Sequence, residues 1–370
     1  MQHQKNGYIL ILTMMMMGAL SAIVVFMFNR GMSVVPYLST VVSREKAKML
    51  ARGGVEIARG LLADFNDYAP EQKNKQSSSS TGTIKSEELQ ENSSSEKKLS
   101  KEQTFLQNIL PSLNRVQHFE FTQQRDGIDG TLDIKISCED GKININKIFD
   151  FSSKKFLGEG IQKSDFKTIF DTFLKKVESK IKAQDLLNSC ERFLKKQTVP
   201  LDDISQLLEI PEWAPFKDKL FISIQDQSQK EQNEHIALAD LFTVHGHSAA
   251  IEPWLMSGSL LYVLGIETKQ TADQRKKSVN EWLKNFKKNR SWPSDWNSGL
   301  KNMYQKEFNN LPKGIDSFFA AQFNPTYFSV LIVAKVDAVV QKIYVIIERV
   351  NRSHNNQIVY DSIIRKMYVL

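Results

Sequence analysis

Between Tyr8 and Phe28 the chain carries 21 residues without a charge, directly behind the leader MQHQKNG. As a helix rising about 1.5 Å per residue, that stretch is roughly 30 Å long, the thickness of a bilayer core. It exceeds the apolar region of a secretory signal peptide, about 7–15 residues. The small-residue cleavage candidate, Ala19 to Ala22, lies inside the run and not after it. A removed signal peptide is therefore disfavoured, and the segment is expected to stay in the membrane. Lys5 stands on the short side, while Arg30, Arg44, Lys46, Lys48, Arg52 and Arg59 follow the run against Glu45 and Glu56. Counted alone, these charges leave the bulk of the chain cytoplasmic.

Helical character continues past Phe28. Leu50, Gly54, Ala58, Leu61 and Phe65 follow a spacing of threes and fours, with Arg52, Glu56 and Arg59 off that seam. Pro36 is expected to kink the helix, and Gly53–Gly54 to weaken it. Residues 71–103 break the pattern: six lysines balance six glutamates among nine serines, and only Ile84, Leu89 and Leu99 are apolar. Too little apolar surface is present to offset the entropy of ordering, so this reads as a solvated insert.

A strand pattern follows, HFEFTQQRDGIDGTLDIKISCEDGKININKIF, with Asp126-Gly127, Asp129-Gly130 and Asp140-Gly141 as turn signals. Thr131–Cys138 and Lys142–Phe149 are expected to pair antiparallel. Helical periodicity returns over Phe166–Val177, Leu186–Leu194 and Ile204–Leu208, the last behind the capping candidates Asp202 and Asp203. Shorter helices are expected around Leu238–Phe242 and Leu260–Leu264, and a basic one near Gln274–Lys288. The chain closes on three strands: YFSVLIVAKVDA, with Phe328, Val330, Ile332, Ala334 and Val336 on one face, then VVQKIYVIIERV and QIVYDSIIRKMYVL. Strands gathered at the two ends of a helical block argue for an α+β fold, with the block inserted into a small antiparallel sheet. The net charge of +7 is spread through the 370 residues and does not demand a nucleic-acid partner. Cys138 and Cys190 are too few for a disulfide framework and read as two buried thiols.

Four stretches together resemble the K-type minor pseudopilins of bacterial type II secretion, also called general secretion pathway protein K. They are the leader with Gly7 before Tyr8, the amphipathic KAKMLARGGVEIARGLL, the CEDGKININ segment, and LADLFTVHG followed by IEPWLMSGSLLYVLGI and the closing meander. The resemblance implies prepilin-peptidase cleavage between Gly7 and Tyr8 and methylation of the new N-terminus at Tyr8. It implies a hairpin motif at Asp140, Gly141, Lys142, Asn144 and Asn146. It also implies a pilin-like architecture: leader 1–7, membrane helix 8–28, amphipathic continuation 29–70 and insert 71–104. The first part of the β domain is then 105–158, the helical domain 159–322 and the completing meander 323–370.

Pilin-like subunits carry an acid at the fifth mature residue; here that residue is Leu12, as in the K-type family, which suits a tip subunit with no neighbour amine above it to neutralise. Other minor pseudopilins, the inner membrane, the prepilin peptidase, and a secretin or cargo are the implied partners, with the bulk of the chain periplasmic. Calcium is implied by the resemblance alone; no run of alternating Asp or Asn with glycine marks a calcium loop. A minor pilin of a type IV pilus or DNA-uptake machine is the alternative within the class.

Rival site readings are thinner. Ser248 within Gly246-His247-Ser248-Ala249-Ala250, with Asp337 and His354 downstream, imitates a hydrolase triad, but no parallel-sheet pattern or oxyanion loop accompanies it. His235, His245 and His247 match no standard zinc spacing. The lysine-spotted helix beyond VLGIE lacks the glycine pair of a DNA-binding hairpin. Trp282, Trp292 and Trp296 read as closing a small core, and no enzyme is expected.

Overall fold

The computed structural model describes residues 4–63, 101–158, 166–221, 236–266, 273–274, 277–278, 296–320, 325–354 and 357–370; within these, side chains at 4–11, 29–36, 101–103, 106, 298 and 351–360 are not described. Helix α1 (Gln4–Leu62) is one unbroken rod whose backbone stays helical through Pro36. Next come α2 (Lys101–Ile109), β1 (Val116–Phe121), α3 (Gln123–Asp126) and β2 (Gly130–Cys138). Short β3 (Ile143–Asn144), α4 (Ile145–Ile148), β4 (Phe149–Asp150) and β5 (Lys155–Phe156) lead into a helical block. That block holds α5 (Phe166–Ile181), α6 (Leu186–Lys196), α7 (Leu238–Leu241), β6 (Phe242–Thr243), α8 (Gly258–Val263) and α9 (Lys301–Tyr304), with 3-10 turns between them. Strands β7 (Tyr327–Val336), β8 (Val339–His354) and β9 (Gln357–Val369) close the chain. The fold is α+β, built on an antiparallel five-stranded sheet in the order β1-β2-β7-β8-β9.

One turn expectation holds and one fails. β1 and β2 pair antiparallel from Phe121↔Gly130, and Gly127 takes a left-handed φ of 74° between them. The second hairpin does not form: β2 pairs with β7 on its other side, and Lys142–Phe149 is no strand partner of Thr131–Cys138. Glu139–Gly141 is a 3-10 turn instead, feeding β3, which pairs in parallel with β6. The Asp-Gly signal marks a reversal of the chain; which strand fills the neighbouring lane is decided by the long apolar β7, whose pairing with β2 buries far more surface.

The sheet is covered on both faces, which is why β7 reads as a continuous apolar run. Phe328, Val330, Ile332, Ala334 and Val336 are all buried on the face toward α1, as the alternation predicts. The helix meets that face through the small residues Ala47, Ala51, Gly54 and Ala58, together with Val55 and Leu62. The predicted seam was therefore one residue off at its end, since Leu61 is exposed, and Phe65 lies outside the described residues. Ser43 Oγ donates to Asp337 Oδ2 at 2.6 Å in the β7–β8 turn, and Arg59 Nη2 donates to Ser362 O at 3.0 Å, so both ends of the packed half are tied to the sheet.

The two adjacent glycines differ. A Cβ on Gly54 would stand 3.0 Å from Ile332 Cγ2 and 3.1 Å from Leu132 Cδ1, whereas one on Gly53 meets nothing within 4 Å. Gly54→Val is expected to cost about 2 kcal/mol by forcing the helix off the sheet. Gly53→Ala is expected to add about 0.5–1 kcal/mol by removing unfolded-state freedom. Thermal melts of the two variants test the pair.

Among the described residues no helix is long and apolar enough to cross a membrane. The described side chains in the apolar start of α1 run only from Leu12 to Phe28, and the large ones among them are exposed all round. Most of the insert, residues 71–100, lies outside the described residues, as do Trp282, Trp292 and most of the basic stretch 274–288. Trp296 is fully buried, stacked on Phe319 at 5.5 Å.

Candidate functional site

The segment Asp140-Gly-Lys-Ile-Asn-Ile-Asn146 is the joint between sheet and helical block, and each of its polar side chains clasps a segment remote in sequence. Asp140 Oδ2 accepts from Thr326 N at 2.7 Å and Tyr327 N at 3.0 Å, pinning the entry to β7. Lys142 Nζ donates to Glu139, to Ala239 O at 2.6 Å and to Ser329 Oγ at 3.0 Å. Asn144 Nδ2 donates to His245 O at 2.6 Å. Asn146 Nδ2 donates to Leu201 O at 2.8 Å, and its Oδ1 accepts from Leu201 N at 2.8 Å. Gly141 lies so close to the block that a Cβ there would fall 2.0 Å from Leu255 O.

These contacts enclose four buried charges. Lys135, Glu139, Lys142 and Asp240 are each no more than 6% exposed. Thr243 Oγ1 donates to Glu139 Oε2 at 2.5 Å, and Asp240 Oδ2 accepts from Ser259 N at 2.7 Å, while Lys135 Nζ lies 3.9 Å from Asp240 Oδ1. Burial works against the Lys142 ammonium, yet Glu139, with Tyr344 and Asp240 beyond it, holds its pKa above the ordinary lysine value. Burial pushes Lys135 down, and pushes the Asp140 carboxyl up. Burial would also raise Asp240, but Lys135, Lys142 and the Ser259 N–H outweigh it and hold that carboxyl below the usual range.

A carboxyl depressed in the folded state contributes stability that is present above its unfolded pKa of about 4 and lost as pH falls through the folded value. The stability gap between the wild type and Asp240→Asn is therefore expected to be widest near neutrality and to shrink as pH is lowered below about 4. Acid-dependent denaturant melts of both proteins measure it, and Asp140, common to both, cancels.

The sequence marked Asp140, Gly141, Lys142, Asn144 and Asn146 but missed Glu139, Lys135, Asp240, Thr243 and Ser329. A signal was present at one of them: Asp240 in LADLF is a lone charge inside an apolar run, and a buried charge needs a partner, whereas Lys135 alternates with Asp133 and reads as a solvent-facing strand residue. The arrangement is interior and its charged groups are paired, while Asn144 Oδ1 is buried without a hydrogen-bond partner; its chemistry is that of a structural joint.

Among the described residues the rival sites do not assemble. Ser248 is exposed, its Oγ accepting from Ala250 N at 2.9 Å. His247 beside it packs edge-on to Tyr327, at the start of β7, with ring centroids 5.3 Å apart. Asp337 sits beyond the other end of that strand, about 30 Å away at ~3.3 Å per residue, held by Ser43. The His354 side chain and His235 lie outside the described residues. His245 stacks on Tyr327 at 6.4 Å, and its imidazole pKa is pushed down by burial. Among the described residues no group of three His, Cys, Asp or Glu side chains could hold a metal ion. Cys138 and Cys190 are free, buried thiols, the second pushed up to about 12 by burial.

At the N-terminus, Gly7 and Tyr8 lie on the helical backbone of α1, and Leu12 presents a neutral, half-exposed side chain, 48% accessible.

Neither a protein-family model nor a curated protein matches the chain. A chain in the crystal structure of the GspK-GspI-GspJ complex from the enterotoxigenic Escherichia coli Type 2 Secretion System is similar to it, at 11% identity and a TM-score of 0.33. The match covers 72% of this chain and 91% of that one. At that distance the likeness decides nothing about chemistry.

Proposed function

We propose that the chain is a pilin-like subunit of a secretion machine, a minor pseudopilin that works by assembly and not by catalysis. The observation that carries the reading is α1: a single rod whose stretch from Leu12 to Phe28 is uncharged and exposed, and whose later part, from Ala47 to Leu62, is sealed to an antiparallel sheet. An apolar helix exposed all round needs lipid or other apolar helices about it. With Tyr8 to Ile11 added to the described stretch, it reaches the length of a bilayer core. In this reading a peptidase cuts after Gly7 and the new N-terminus at Tyr8 is methylated. The rod then leaves the inner membrane to pack against sister rods, with the sheet and helical block in the periplasm. Leu12, where other pilin-like subunits carry an acid, supports a place at the tip, because a carboxylate buried there without a neighbour's amine would be unpaired. Partners are then other minor pseudopilins.

The test is N-terminal sequencing of the membrane-extracted chain from cells with and without the prepilin peptidase. A mature start at Tyr8 only in the presence of the peptidase is expected. Retention of Met1 in cells that process their other pilins overturns the reading.

A further inference from the structure

The outer edge of β9 has the features of a strand-docking site. β9 is the last strand of the sheet and pairs only with β8 among the described elements. Leu370 N donates to Lys342 O at 3.0 Å, so the N–H groups of Tyr368 and Leu370 point inward. By the alternation of an antiparallel pair, those of Met367 and Val369 point outward. The exposed large apolar side chains described outside α1 are Leu157, Val199, Val340, Met367, Val369 and Leu370, and three of these six lie on the last four residues of the chain. On the opposite sheet face, Tyr368 and Leu370 border a mainly apolar cavity of about 100 Å³, lined by Phe221, Tyr344 and Ile346 and also by the carboxylates of Glu139 and Asp203, which are bonded to Thr243 and Tyr368. That volume suits one aliphatic or aromatic side chain. An edge unpaired among the described residues, with outward backbone groups and a cavity beside it for a side chain, is the pattern by which sheets accept an added strand.

We propose that β9 is extended by a strand from a partner pilin-like subunit, an uncharged segment that places one apolar side chain in this cavity. The proposal rests on the pseudopilin reading for the identity of the partner. The strand pairs with the outward groups of Met367 and Val369, and its side chain covers Tyr368 and Leu370. Arg365 and Lys366 are already occupied by Glu348 and Asp202, which disfavours an acidic segment.

The test is hydrogen exchange on the full chain, alone and in complex with the minor pseudopilin that co-purifies with it. The Met367 and Val369 amides are expected to exchange at least about tenfold more slowly in the complex, as paired amides do. Val369→Pro removes one outward N–H and spares the Leu370 bond to β8, so its thermal midpoint should match the wild type while complex formation falls at least about tenfold. A complex that forms without protecting these amides, or that survives Val369→Pro unchanged, overturns the edge proposal and leaves the functional reading standing. Failure of any pilin-like subunit to co-purify overturns both.

Discussion

Lys142→Met should lower the stability of the folded headpiece by about 3–5 kcal/mol, the cost of stranding a buried charge without its partner. The residue it strands is Glu139, which keeps only the Thr243 hydroxyl. Two further acceptors, Ala239 O and Ser329 Oγ, lose their donor at the same time. At about 2–4 °C per kcal/mol for a domain of this size, the melting temperature should fall by roughly 10 °C. The charge itself is the cause, so adding Glu139→Gln to Lys142→Met should recover a large part of the loss. A double variant no better than the single one would show that packing, not charge, sets the cost. A single variant within about 1 kcal/mol of the wild type would remove the joint from the account of this fold altogether.

Gly141→Ala should be as severe or worse, for a steric reason. The added carbon would stand 2.0 Å from a backbone carbonyl oxygen, Leu255 O, and no flexible side chain is there to move aside. The neighbouring backbone is itself locked: Glu252 N donates to Asp140 O at 2.7 Å, and Ser257 N donates to Gly141 O at 3.2 Å. Relief requires the 252–257 segment to withdraw, which breaks those bonds, so a loss above about 3 kcal/mol is expected. Circular dichroism melts alongside limited proteolysis distinguish two outcomes. A protein that melts early but as one unit confirms that joint and sheet fold together. Early proteolysis confined to the helical block, with the sheet intact, shows the block opening by itself. Wild-type behaviour in both assays would mean that the close approach at Gly141 is not a constraint.

Much of the architecture was legible from periodicity. The all-uncharged start of α1, the one-sided helices at Phe166–Val177 and Leu186–Leu194, and the alternation of Phe328 through Val336 each report a local burial environment, and local burial is what sequence periodicity encodes. Asp203 was also readable, and it caps the following 3-10 helix by accepting from Ser205 N at 2.8 Å. The β2 partner was not. Asp140-Gly141 has the composition of a hairpin turn, but strand pairing is a competition among all strands, and β7, nearly two hundred residues away, wins it with the longer apolar register. The seam of α1 shows the same limit at smaller scale: Leu62 and not Leu61 is buried at its end, and Gly54 stands where the helix comes closest to Ile332 and Leu132 of the sheet.

The site divides in the same way. Asp140, Gly141, Lys142, Asn144 and Asn146 stood out as a motif, yet nothing local says what they hold. Their partners, Thr326, Ser329, His245 and Leu201, come from segments up to 187 residues distant. By itself the amino-acid sequence determined an uncharged stretch from Tyr8 to Phe28 and an α+β chain, since these follow from composition and spacing along the chain; the polar motif was marked by its resemblance to a family. Only the tertiary structure decided that the motif is a buried joint, that β2 lies against β7 and that β9 is an edge strand among the described residues. Long-range pairing is chosen by total buried surface and hydrogen-bond satisfaction, which no short window of residues contains.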